Sequence, residues 1–156
     1  MNENRLKFLI VGVGNVFRGD DSVGILIARF LRRYCFADNV KIIGLDLSFD
    51  ELIEIWGNFE VVILIDAIDL DEKPGTIYRF EPTSEALPAE VRFFSTHTLG
   101  LAEYIEIGKA IKALPMKLII YGIVGENFGI GAPISDEVKS SCRKVIQKIV
   151  EELGTR

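Results

Sequence analysis

FLIVGVGNVFRGDDSVGILIARFLRRY, residues 8 to 34, is the stretch on which the fold turns. It opens with an unbroken apolar run, Phe8 to Val13, short enough for a strand buried on both faces. It closes with Val23, Leu26, Ile27, Phe30, Leu31 and Tyr34, whose spacing puts them on one stripe of an amphipathic helix. Arg29, Arg32 and Arg33 gather at the far end of that helix, where the dipole favours cations. A strand that passes through a glycine-containing turn into a helix is the opening unit of an α/β protein.

The same grammar continues outward. Apolar runs at Val40–Leu45, Val61–Ile65 and Leu118–Val124 read as further strands of a parallel sheet. Between and after them come a short helix from Phe49 to Trp56, a helix striped by Ile107, Ala110, Ile111 and Leu114, and a helix striped by Val138, Cys142, Val145, Ile149 and Leu153, with Ser135 as its N-cap. Pro74 and Gly75 turn the chain into an extended piece, Thr76 to Phe80, expected near a sheet edge. Glu81 to Phe94 has two prolines and no period, and reads as a loop. The alternation predicts one α/β domain over residues 1–156: an open, twisted, mostly parallel sheet with helices on both faces.

Composition agrees. A chain of 156 residues, 49% hydrophobic, is long enough for one sizeable core. Its net charge of -5 offers no electrostatic pull on nucleic acid or an anionic membrane. No run is long enough to span a bilayer, so the expectation is a soluble, cytoplasmic protein without membrane insertion. Cys35 and Cys142 stand far apart, which suggests neither a zinc cage nor a redox pair, but buried thiols in a reducing compartment.

In open α/β sheets ligands bind beyond the carboxyl ends of the strands. That rule selects Gly14, Asn15, Asp20 and Asp21 after the first strand, Asp46 after the second, and Asp66 at the end of the third, with Asp69 behind it. It adds Ser95, Thr96 and His97 before the middle helix, and Gly125, Glu126, Asn127, Gly129 and Gly131 after the last strand. Two chemistries compete for this edge. A dinucleotide fingerprint would use Gly12 and Gly14, with Asp46 on a ribose hydroxyl, but its third glycine falls at Phe17. Asp20 and Asp21 would also repel a phosphate. A cation suits the acids better: His97, the only histidine, with Asp21 and Asp66 forms a nitrogen and oxygen set fit for zinc or nickel. Structural roles compete as well, since acids that open a helix are commonly caps, an Asp after a strand often holds a turn, and Gly12 and Gly14 can serve close packing alone. The Gly125 to Gly131 segment is most simply a flexible connection.

At these residues the chain resembles a known family. Gly12-Val13-Gly14-Asn15, followed by Asp20-Asp21 and Gly24, is similar to the signature of the hydrogenase maturation proteases, endopeptidases that process the large subunit of nickel-iron hydrogenases. Asp66-Ala67 resembles that family's second acidic position, and Ser95-Thr96-His97 before Leu101 and Ala102 its histidine block. The likeness runs in order through nearly the whole chain. Part of the family carries Glu where this chain has Asp21, and the segment after the last strand matches only loosely.

The resemblance implies an endopeptidase that removes the C-terminal extension of a nickel-loaded large-subunit precursor. Asp21, Asp66 and His97 would be the metal ligands, with Gly14, Asn15 and Thr96 at the substrate. The nickel would arrive with the substrate, so an empty precursor would lack the anchor. Three candidates stand for the activation of water: the nickel itself, a ligating Asp21 or Asp66, or Asp20 as a spare general base. No Ser or Cys nucleophile is expected, because no second histidine is available to activate one.

Overall fold

A computed structural model describes residues 5–34, 36–45, 49–94 and 100–154; Cys35, Asp46, Ser95, Thr96 and His97 lie outside the described residues. The elements run β1 (Phe8–Val13), a 3-10 turn (Gly19–Ser22), α1 (Val23–Leu31), β2 (Val40–Leu45), α2 (Phe49–Trp56), β3 (Val61–Asp69), β4 (Ile77–Phe80), β5 (Arg92–Phe93), α3 (Leu101–Ala110), β6 (Lys117–Val124) and α4 (Asp136–Gly154). The main sheet has the order β2-β1-β3-β6-β4. The β1–β2, β1–β3 and β3–β6 pairs are parallel, β4 is an antiparallel edge strand, and β5 pairs antiparallel with the end of β3. The mostly parallel, open α/β architecture is thus the one the alternation predicts, and the piece after Pro74-Gly75 does form the edge.

Side chains alternate between two cores. On one face Leu9, Val11, Val62, Leu64 and Ile68 pack with Leu52 and Trp56 of α2 and Leu101 and Ile105 of α3. On the other, Ile10, Ile63, Ile65 and Ile119 pack with Val23, Ile27 and Leu31 of α1 and Val138, Val145 and Ile149 of α4. The period-2 pleat feeds both cores from the same strands, which is why β1 and β6 read as continuous apolar runs.

Several expectations are corrected. β2 is not buried on both faces, because it is an edge strand and Val40 to Gly44 are half-buried or exposed. β3 does not stop before Asp66 but continues to Asp69. On α1 only Val23, Ile27 and Leu31 of the expected stripe are buried, while Leu26, Phe30 and Tyr34 are exposed. The cause lies at two glycines. A Cβ on Gly24 would collide with the Ile65 carbonyl and the Val13 backbone, and one on Gly12 would strike the Gly24 carbonyl. The helix therefore lies against the sheet on its small-residue face, Gly24 and Ala28, and the larger residues beyond turn outward.

α3 buries Leu101, Ile105 and Gly108, a different face from the expected one. The helix ends at Ala110, and Lys112 has φ 56°, so the helical period does not run on to Leu114. Ile107 and Ile111 are exposed, whereas Leu114 folds back against Gly108 and the α2–α3 core. Within the expected loop, Arg92 and Phe93 form β5. Among the described residues no helix is long and apolar enough to cross a membrane.

Candidate active site

β1 lies between β2 and β3, so the chain leaves β1 to one side and returns on the other. That reversal opens a crevice at the carboxyl ends of β1 and β3, the position where open α/β sheets bind ligands. Gly12 is in register with Ile65, which sets Asp66 one step further along β3, level with the exit of β1. On its other side Asp66 is in register with Gly122 of β6.

Asp66 occupies the strand position where alternation from Val62 and Leu64 calls for an apolar side chain. It is 0% exposed. Its Oδ1 accepts the Ala67 N–H at 2.8 Å, while Oδ2 has no hydrogen-bond partner among the described residues. Asp21, 3% exposed, reaches the crevice from the 3-10 turn, and its Oδ1 is likewise without a partner among the described residues. The turn is wound tightly on β1: the Asn15 N–H donates to the Asp21 carbonyl at 3.1 Å. Gly14 makes this approach, with φ 144°, in a place where a Cβ would strike that same carbonyl. The Asn15 side-chain oxygen accepts the Phe17 N–H at 2.9 Å, closing an Asx turn.

Electrostatically the two acids behave as a pair. Burial pushes Asp21 up to about 7, against partial relief from an Asn15 backbone hydrogen bond and from Arg18. Burial pushes Asp66 well above the usual carboxylate range, and the Asp21 charge adds to the rise. Two desolvated carboxyls with one orphaned oxygen each are uncomfortable as anions, and they become comfortable on taking up protons or sharing a cation. Hard or borderline divalent ions accept such oxygens. Neither acid acts as a helix cap: no side-chain cap hydrogen bond is found at the 3-10 turn or at α1.

Asp20 does something else. It is 0% exposed, and its carboxylate faces away from the pair into the loop after β6. It accepts the N–H groups of Glu126 (2.8 Å), Asn127 (3.0 Å) and Ser135 (2.7 Å), together with the Ser135 hydroxyl. Its own N–H donates to the Asn127 carbonyl at 2.8 Å. Ser135 does stand at the start of α4, where its carbonyl accepts the Lys139 N–H, but its hydroxyl is directed to Asp20. The 125–131 segment, expected to be a flexible connection, is therefore tied to the β1 loop. Sequence reasoning missed Glu126, Asn127 and Ser135 as partners of Asp20. Only the doubled acid at 20 and 21 hinted that the two carboxylates have separate tasks.

His97 and Thr96 lie outside the described residues, as does Asp46. The residues that flank the histidine block are close to the pair in the fold. The Phe94 N–H donates to the Ala67 carbonyl at 3.1 Å, Phe93 is in register with Ile68, and Leu101 shares a core with Ile68. Among the described residues no cluster of three His, Cys, Asp or Glu side chains capable of holding a metal is formed.

Two buried acids side by side at the switch point of an open α/β sheet set the chain among α/β proteins with an acidic site at that edge. The comparisons narrow this class. The model of the hydrogenase maturation protease family matches residues 25–152, and the chain belongs to that family of peptidases. It is 26% identical over 151 residues to the hydrogenase 2 maturation protease of Escherichia coli, covering 95% of this chain and 91% of the relative. In structure it is similar to the hydrogenase maturating endopeptidase HybD from E. coli, with a TM-score of 0.79, 24% identity and coverage of 95% and 92% of the two chains. It is also similar to the [NiFe] hydrogenase maturation protease HybD from Thermococcus kodakarensis, with a TM-score of 0.71, 27% identity and coverage of 96% and 100%.

Proposed function

We propose that this peptidase removes the C-terminal extension of a nickel-iron hydrogenase large-subunit precursor in the cytoplasm, and that nickel already held by the precursor is what it recognises. The observation that carries this reading is the pair of orphaned buried oxygens, Asp21 Oδ1 and Asp66 Oδ2, at one sheet edge. Nickel brought by the substrate would satisfy both, with His97 as a third ligand, and would hold the precursor's tail beside the crevice. Fixing a peptide in this way can supply on the order of 7 to 11 kcal/mol towards the barrier in favourable systems. A precursor without nickel offers the two orphaned oxygens no ion to bind, so selection follows from an unmade bond.

Within this scheme the roles divide. Asp21 and Asp66 would bind the ion, and either of them can take a proton from a water whose pKa the ion lowers. Gly14 and Asn15 shape the turn that presents Asp21, and Thr96 stands next to His97 in the histidine block. Asp20 is a positioning residue, since every contact of its carboxylate described above goes to the loop after β6. The dinucleotide alternative loses ground because two buried acids occupy the crevice a pyrophosphate would need.

The test is incubation of the purified protein with a nickel-loaded precursor, with mass spectrometry as readout. Loss of a C-terminal peptide is expected with the wild type, and no loss with Asp66→Ala, with His97→Ala or with a nickel-free precursor. Normal trimming by both variants would refute the assignment.

A further inference from the structure

Phe17 and Ile130 are 72% and 77% exposed, the most open of the large apolar side chains among the described residues. They are not scattered over the surface. The Gly131 N–H donates to the Phe17 carbonyl at 2.8 Å, which joins the loop after β1 to the loop after β6 at Phe17 and at the residue following Ile130. Nor are they carried on loose chain. The Phe17 N–H is held by the Asn15 side chain at 2.9 Å, and Arg18 Nη1 donates to the Phe128 carbonyl at 3.4 Å. The Phe128 ring stacks on Phe94 with centroids 4.2 Å apart, and the Asp20 carboxylate clamps Glu126, Asn127 and Ser135. Apolar groups held in water on an ordered rim are characteristic of binding surfaces, whereas single exposed apolar residues on a soluble protein signify nothing. The rim starts within the Asn15 turn whose backbone grips Asp21, so it borders the acidic crevice directly.

We infer that Phe17 and Ile130 form an apolar grip for the peptide substrate, taking a bulky apolar side chain of the segment next to the scissile bond while the acids engage its metal. The inference rests on the peptidase reading given above. It assigns a division of labour at one site: Asp21 and Asp66 sense the ion, and the Phe17–Ile130 rim reads the chain that carries it. The grip holds its side chain equally in the ground state and the transition state, so it contributes chiefly to KM.

Steady-state trimming of a nickel-loaded large-subunit precursor by the wild type, Phe17→Ser, Ile130→Ser and the double variant tests it. Each single change is expected to raise KM about tenfold with kcat within about twofold, as for loss of an apolar contact. Both side chains face water, so unchanged thermal midpoints are expected and would show that the effect is not one of folding. Serine in place of an apolar residue next to the precursor's cleavage site should raise KM in the wild type and have little further effect in the double variant. An unchanged KM in both single variants, or a fall in kcat alone, overturns the grip and leaves the protease assignment standing. Failure of the wild type to trim the precursor overturns that assignment and the grip with it.

Discussion

Ser135 donates its backbone N–H to Asp20 Oδ1 at 2.7 Å, and its hydroxyl lies 3.0 and 2.9 Å from the two carboxylate oxygens, across 115 residues of sequence. This contact fastens the start of α4 to the turn that presents Asp21. The neighbouring acids, alike in sequence, thus diverge: one is saturated with donors and the other is left with a bare oxygen.

Asp20→Ala should accordingly act on stability. Removing the acceptor breaks charge-assisted bonds to the amides of half-buried Ser135 and of exposed Glu126 and Asn127, at a cost of about 3 kcal/mol. Ser135→Ala, which keeps the amide bond, should cost about 1 kcal/mol. Urea midpoints would check the order, and hydrogen exchange should accelerate at Glu126 and Asn127 in the Asp20 variant. Equal midpoints for Asp20→Ala and wild type would remove the clamp from the account.

Asp21 should destabilise the free protein as pH rises. Its folded value, about 7, lies above the ordinary value of 3.8. The associated stability is fully present below about 4 and is lost as pH climbs to about 7, where the folded carboxyl also ionises. Asp21→Asn has no such charge. It should be more stable than wild type at pH 8, with the advantage fading towards pH 4. A variant less stable than wild type at pH 8 would contradict the buried-acid picture.

Asp66→Asn should separate function from folding in the same way. The substitution keeps the volume and the acceptor for the Ala67 amide but abolishes the anion. Trimming should fall on the order of a hundredfold or more, while the melting temperature at pH 8 stays level or rises. An active variant would mean that the carboxylate has no part in the chemistry.

Gly24→Ala should damage the fold itself. The added methyl meets backbone, the Ile65 carbonyl and Val13, which has no rotamer by which to move aside. A loss of about 3 kcal/mol or more is expected, seen as a lower denaturant midpoint or as insoluble expression. A neutral result would mean that α1 does not lie against the sheet this closely.

The amino-acid sequence determined the α/β class, the buried strands β1, β3 and β6, an edge piece after Pro74-Gly75 and the acidic character of the site. These are local properties: apolar runs, turn chemistry and the types of side chain at strand ends follow from a few consecutive residues. The outward turn of Leu26, Phe30 and Tyr34 was not legible in the same way, because it depends on how near Gly24 lets α1 come to a strand forty residues away. The stripe assigned to α3 failed for a related reason: periodicity does not mark where the helix ends. At the site, Asp20 and Asp21 are the same residue type at adjacent positions, and only the tertiary structure separated them. It brought the loop after β6 to one carboxylate and left the other facing Asp66, since hydrogen-bond partners a hundred residues distant are chosen by the closing of the sheet and not by the local chain.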